Sequence, residues 1–260
     1  MEKWKIAAIA ALLLSLVGFG LFQQQGERPS AATTPTGGPV TGGSVTAPTP
    51  NPIAALYNGQ SLPEWKFPRW QNTTKPPTAA SLPGQTTLVE IFRTGCSHCN
   101  EAAPLMAAIN TRYGPRGLKM IGIQSPGDFK NPENPENNWA DVQTWVKENR
   151  LKYPIAFDEK SNYFQGTIRK EILKDDAARL LYPMTMVVGP DGKISYSQSG
   201  HDTPKAIELA VQLEKRFPTS KDGQKNAADL VKWLSGLLPE LQFDANMIKA
   251  MTDDVAQRLK

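Results

Sequence analysis

The chain has 260 residues with 29 Lys and Arg against 25 Asp and Glu, a formal net charge of +4, which is too even for the basic footprint of a nucleic-acid binder. It contains 20 Gly and 22 Pro, which points to an unfolded stretch, yet its 40% hydrophobic residues are enough for a core. Two cysteines, Cys96 and Cys99, and two histidines exclude a multi-disulfide scaffold and argue against a four-ligand Cys/His zinc site.

Met1-Glu2-Lys3-Trp4-Lys5 precedes an uncharged run of 17 residues, Ile6 to Phe22, broken only by Ser15, Gly18 and Gly20. The run is longer than the apolar part of a usual signal peptide and at the short limit of a membrane span. Residues 1–22 therefore read as an uncleaved signal-anchor. A cleaved secretory signal ending near Gly18-Phe19-Gly20 is the alternative, and a buried soluble helix the plainer one. With Lys3 and Lys5 on its N-terminal side, anchor and signal alike predict the remaining chain on the extracytoplasmic face, tethered or secreted. No cysteine follows closely, so a lipid-modified cysteine is not the tether. Residues 23–52 follow as a linker: 19 of the 30 are Gly, Pro, Ser or Thr, too few apolar groups to offset the entropy of folding. As a flexible coil it would reach about 30 Å.

Residues 53–217 read as one folded domain. Leu62 to Pro83, rich in Trp, Pro and Thr, is an irregular lead-in that lays Trp65, Phe67 and Trp70 against it. Thr87-Leu88-Val89-Glu90-Ile91-Phe92 is a short apolar run with β-branched and aromatic residues, the pattern of a strand buried on both faces. Asn100 to Tyr113 has helical spacing, with Ala102, Leu105, Met106 and Ile109 on one side. Lys119 to Ile123 is a second buried strand, Trp139 to Asn149 a helix with Val142 and Trp145 inward, and Tyr153 to Phe157 a short strand. Lys160 to Leu181 is polar and helix-prone, without a definite shape. Met184 to Val188 and Lys193 to Gln198 flank Gly189-Pro190-Asp191-Gly192, whose turn chemistry predicts a hairpin. Pro204 lies in the first turn of a helix from Thr203 to Arg216, where its missing N–H is harmless.

Strands alternating with helices predict an α/β fold with a central sheet covered on both faces. Residues 218–260 form a C-terminal helical extension, Lys225 to Leu238 and Asp244 to Leu259. In the second helix Met247, Ile248, Met251, Val255 and Leu259 make one apolar stripe, expected to pack on the domain, with a partner surface as the alternative.

Chemistry concentrates in Cys96-Ser97-His98-Cys99, directly after a buried strand and at the mouth of a helix. Residues three apart there face the same side with Cβ atoms about 5–6 Å apart, so a disulfide needs only modest closure. Cys96 is placed where unpaired N–H groups and the positive helix end stabilise a thiolate, whereas Cys99 lies a turn deeper. Cys96 is the expected nucleophile and Cys99 the resolving thiol, the division that thiol–disulfide exchange requires. A static disulfide closing so short a loop would constrain little chain entropy.

Three further features add to this. Glu90 is the only charge in an apolar strand, and a buried carboxylate with raised proton affinity could shuttle the proton of Cys99; an edge position with the carboxylate in water is the alternative. Pro104 should kink the helix. Tyr182-Pro183-Met184 enters a strand, where a cis Tyr182–Pro183 bond would form a turn whose free backbone receives a client peptide beside Cys96.

Residues from about Ser81 to Phe217 resemble the thioredoxin-like fold, and specifically the membrane-anchored thiol–disulfide oxidoreductases of the TlpA/ResA type. The resemblance lies in Leu88 to Phe92, Cys96-Ser97-His98-Cys99, Glu101 to Leu105, and Pro183-Met184-Thr185 with Gly189 to Lys193. It implies a central mixed β-sheet flanked by helices, Glu90 as the buried acid, Pro183 as the cis proline, and dithiol–disulfide exchange with extracytoplasmic client proteins bearing cysteines or disulfides. It further implies a membrane electron donor or acceptor and no cofactor. Many relatives carry Trp before the first cysteine where this chain has Gly95; the segment from Asp158 to Tyr182 is longer than usual, and the terminal helices are extra. His98, with Ser97, is expected to tune the thiolate; the pair resembles that of oxidants of the DsbA type, while the family leans towards reductases. The direction of electron flow stays open. A different class of reading is a copper metallochaperone of the Sco type using Cys96, Cys99 and His201, although such proteins space their cysteines four apart. Haem attachment through C-x-x-C-H is excluded by Asn100, and a peroxidase lacks its motif.

Overall fold

The structure, a computed structural model, describes residues 56–127, 130–131, 133–174, 180–237 and 245–260. The apolar run 6–22 and the linker 23–52 lie outside these, and among the described residues no helix is long and apolar enough to cross a membrane.

Six strands form one sheet: β1 (Trp70–Gln71), β2 (Thr87–Phe92), β3 (Lys119–Gln124), β4 (Ile155–Phe157), β5 (Met184–Val188) and β6 (Ile194–Ser199), in the order β1-β4-β3-β2-β5-β6. Strand β2 pairs parallel with β3 and antiparallel with β5; β3 pairs parallel with β4, β6 antiparallel with β5, and β1 antiparallel with β4. The mixed α/β sheet thus has the expected thioredoxin-like arrangement, with β2 at its centre and all six of its residues buried. The lead-in was expected to be irregular, but Trp70 and Gln71 pair with Ala156 and Ile155 and close one edge of the sheet. Two residues are too few for a period-2 pattern to register in sequence.

Side chains alternate across the strands and feed two cores. Leu88, Phe92, Met120, Ile155 and Val187 face α1 (Ser97–Tyr113), α2 (Trp139–Glu148) and α3 (Thr203–Arg216). On the other face Val89, Ile91, Ile123, Met186 and Val188 pack against Tyr57, Leu62, Trp65 and a π-helix, Asn162–Leu173. That helix occupies the segment whose shape was indefinite in sequence. Its inward residues, Tyr163, Phe164, Ile168, Ile172 and Leu173, recur every four to five positions because i→i+5 bonding widens the turn, which blurs the usual helical signal.

Helices α4 (Gly223–Leu237) and α5 (Ala245–Arg258) join the first core through Leu230, Val231, Leu234 and Val255. Of the apolar stripe, Met251, Val255 and Leu259 pack inward, Ile248 stays exposed, and the side chain of Met247 lies outside the description. The extension is fastened by Glu214 on α3, which is fully buried. It accepts hydrogen bonds from Arg112 Nη2 at 3.0 Å, Tyr113 Oη at 2.8 Å and Thr219 N at 2.8 Å. Arg112 also binds Asp229 of α4 at 2.7 Å, and its guanidinium lies 4.9 Å from the Trp233 ring centre.

Candidate active site

Strand β2 delivers Glu90 and then, past its end, the turn Arg93-Thr94-Gly95 that leads into α1. Cys96 is the N-cap residue, in extended conformation, and its carbonyl accepts the N–H groups of Cys99 at 3.1 Å and Asn100 at 3.0 Å. The first turn of α1 holds no acidic residue, so its free N–H groups and positive dipole end act on Cys96 without competition. Pro104 lies inside α1, which continues past it to Tyr113. Both cysteines are free thiols, Cys96 half-buried and Cys99 buried. The helical register places the two sulfurs close enough that Cys96 acts on the Cys99 thiol. Burial pushes the Cys99 thiol well up; the N–H of Arg93, which donates to its sulfur at 3.5 Å, works against this, while Cys96 and Glu90 add to it. Cys99 therefore stays protonated until a base takes its proton.

Glu90 is the buried carboxylate whose charge acts on Cys99. The edge alternative fails because β2 is the central strand: Glu90 pairs with Gly122 of β3 and Thr185 of β5 and is 3% exposed. The phenol of Tyr153 donates to Glu90 Oε2 at 3.2 Å. Burial pushes the carboxyl up to about 7, with the Tyr153 bond pulling the other way.

On the far side of Cys96, its thiol points to the carbonyl oxygen of Tyr182 at 3.9 Å. The Tyr182–Pro183 bond is cis, Pro183 is buried, and Met184, also buried, begins β5. The Tyr182 ring packs edge-on to Phe164, and its hydroxyl accepts from Gln165 Nε2 at 3.1 Å, so the π-helix supports this loop. Ser97 and His98 are exposed on the first turn. His201 is half-buried after β6, with its imidazole pushed down by burial. Among the described residues no three His, Cys, Asp or Glu side chains converge as metal ligands, so Cys96, Cys99 and His201 do not form the copper site that the alternative reading required.

Four contributors escaped the sequence reading. Glu136, 3% exposed, accepts hydrogen bonds from Gly95 N at 2.9 Å, Gly127 N at 2.8 Å and Arg93 Nε at 3.1 Å. The Arg93 guanidinium lies 5.4 Å from the Tyr182 ring centre. Asn100 donates to the carbonyls of Thr94 at 3.1 Å and Cys96 at 2.9 Å and accepts from Trp145 Nε1 at 2.7 Å, while Trp145 stacks on Phe92. Tyr153, read as the first residue of a strand, is the partner of Glu90. The lone buried-strand acid pointed to Glu90, but nothing in the linear pattern signals partners 41 or more residues away.

Gly95 gains a physical reason here. A Cβ at this position would lie 2.4 Å from Glu136 Oε1. Gly95→Ala is expected to destabilise the fold by about 1–3 kcal/mol through overpacking, measured as a lower urea midpoint. Combining Gly95→Ala with Glu136→Gln should not restore it, because the amide is as large as the carboxylate.

The family model described as Redoxin matches residues 57–212. The chain is similar to the thiol-disulfide oxidoreductase ResA of Bacillus cereus, 23% identical over 131 residues that cover 50% of this chain and 64% of that protein. It is likewise similar to ResA of Bacillus thuringiensis subsp. konkukian, 24% identical over 125 residues, 48% of this chain and 61% of that one. The chain thus spans less than two thirds of the length of these curated relatives. Among solved structures, a thiol-disulfide isomerase from Corynebacterium glutamicum is similar at 17% identity and a TM-score of 0.44, over 61% of this chain and 98% of that one.

Proposed function

Since the chain belongs to the Redoxin family, we propose that it is a thiol–disulfide oxidoreductase that exchanges a Cys96–Cys99 dithiol or disulfide with client proteins. The observation that carries this is the pairing of an accessible Cys96 at a helix N-terminus with a buried, protonated Cys99 that has one buried carboxylate nearby. In the reducing direction the Cys96 thiolate attacks a client disulfide, forming a mixed disulfide and releasing one client thiolate. Cys99 gives its proton to Glu90 and attacks the Cys96 sulfur, which releases the second client thiolate. Two electrons pass to the client, Cys96 and Cys99 end as a disulfide, and the proton held by Glu90 leaves with the departing thiolate. The oxidising direction is the same sequence reversed. Client backbone docks along Tyr182-Pro183-Met184, and the exposed His98 and Ser97 sit at the rim on the first turn of the helix.

The uncharged run 6–22 with Lys3 and Lys5 before it supports a membrane tether with the domain on the extracytoplasmic side, exchanging electrons with a membrane donor or acceptor. Residues 23–52 would then join tether and domain.

The test uses the full chain with Cys99→Ser, mixed with glutathione disulfide and analysed by mass spectrometry. One glutathione on Cys96 that the unmodified chain releases is the expected result. A chain with no adduct at Cys96, or whose adduct persists with Cys99 intact, would overturn the reading.

A further inference from the structure

We propose that Tyr153 is a positioning residue for the exchange reaction, holding Glu90 by the phenol O–H that it donates across the notch left by Gly122. The inference rests on the proton-transfer role given to Glu90 above and deepens it.

Tyr153 lies two residues before β4, and its side chain returns over β3 to reach β2. Gly122 makes that path possible: a Cβ there would sit 2.5 Å from Ile155 Cδ1, 3.1 Å from a Phe92 ring carbon and 3.2 Å from a Tyr153 ring carbon. The position that directly adjoins Glu90 on β3 is thus emptied so that an aromatic ring can cross it. The backbone of Tyr153 is fixed in turn by Asn72, just past β1, which donates to the carbonyls of Leu151 at 2.8 Å and Tyr153 at 3.1 Å. Asn72 takes the left-handed conformation, φ 61°, which asparagine tolerates better than most residues. A continuous chain of contacts therefore runs from the sheet edge through Asn72 and Tyr153 to Glu90, whose charge acts on Cys99.

The chemistry is mutual. Tyr153 is 3% exposed and its hydroxyl needs an acceptor, while a carboxylate in an apolar layer needs a donor. The titratable groups that face Glu90 are Tyr153 and, from α1, Cys99 with Cys96 behind it; β3 presents Gly122 and β5 presents Thr185, neither of which titrates. A donated O–H favours the charged carboxylate, so it opposes the effect of burial and keeps Glu90 able to give up its proton near neutrality.

The experiment forms the Cys96–glutathione mixed disulfide on the full chain and follows glutathione release by Cys99 against pH. In Tyr153→Phe the midpoint of the rise is expected to move upward by about half to one pH unit, the loss of one hydrogen bond to the charged form. Incorporating 3-fluorotyrosine at position 153, a stronger donor of nearly the same size, should move it downward, and this variant decides the matter if Tyr153→Phe does not fold. Glu90→Gln should abolish the rise. If the rise survives Glu90→Gln, the role of Glu90 falls; if Glu90→Gln removes it but both position-153 variants leave the midpoint unmoved, Tyr153 is only a packing residue and this inference falls alone.

Discussion

Glu90→Gln is expected to make the protein more stable above pH 7 and slower in exchange. The carboxyl is raised from 4.5 to about 7 by burial, so between those values the folded state binds a proton that the unfolded state has released. Stability from this group is therefore full below pH 4.5 and declines as pH rises to about 7. At 1.36 kcal/mol per unit the loss is about 3 kcal/mol at pH 8. Glutamine keeps the shape and accepts the Tyr153 hydrogen bond without the charge, so it recovers that energy at pH 8 and almost none at pH 4. Urea unfolding at the two pH values measures the difference; equal effects at both would mean that Glu90 is not forced to ionise inside the sheet. Release of the client by Cys99 should slow by about 10²-fold, the usual scale for losing a positioned proton acceptor. The same substitution would thus raise stability and lower activity, as expected of a group kept for chemistry rather than for folding.

Glu214→Ala is expected to cost about 3–5 kcal/mol, the usual result of removing one partner of a buried ion pair. Glu214 is fully buried, and its partner Arg112 retains only 9% side-chain exposure. Without it, Arg112 keeps Asp229 and the Thr219 N–H keeps Asn226, but the Tyr113 hydroxyl loses its closest acceptor. Since typical domains are stable by about 5–15 kcal/mol, this is a large fraction of the total. The urea midpoint should fall, and amide exchange in α4 should accelerate before exchange in β2 and β3. Equal acceleration throughout would indicate that α4 and the sheet unfold as one unit.

The sequence reading placed β2, β3, β5 and α3 closely because each follows one period: buried strands as unbroken apolar runs, amphipathic helices at 3.6. Helix α1 begins three residues earlier than its apolar spacing predicted, since Ser97 and His98 are exposed polar residues that break the apolar spacing ahead of the buried Cys99. Strand β1 and the π-helix were not legible, one for its brevity and the other for its wider turn. Cys96, Cys99, Glu90 and Pro183 stand out along the chain because each breaks or punctuates a local pattern. Arg93, Glu136, Asn100 and Tyr153 do not, because polar residues in loops and helix ends are ordinary until folding brings them to a partner. Glu136 is the clearest case: it lies in Asn134-Pro135-Glu136-Asn137, a segment that resembles any solvated turn, yet its carboxylate is buried.

That carboxylate stitches two stretches of chain into a single collar around the reactive sulfur. Because Gly95 and Gly127 both hang from the same carboxylate, the approach to Cys96 from this side cannot widen without tearing contacts beyond the end of β3 as well. Under the function proposed above, a client would have to fit the opening as it stands, and loss of the Glu136 carboxylate should be felt at the sulfur through Gly95.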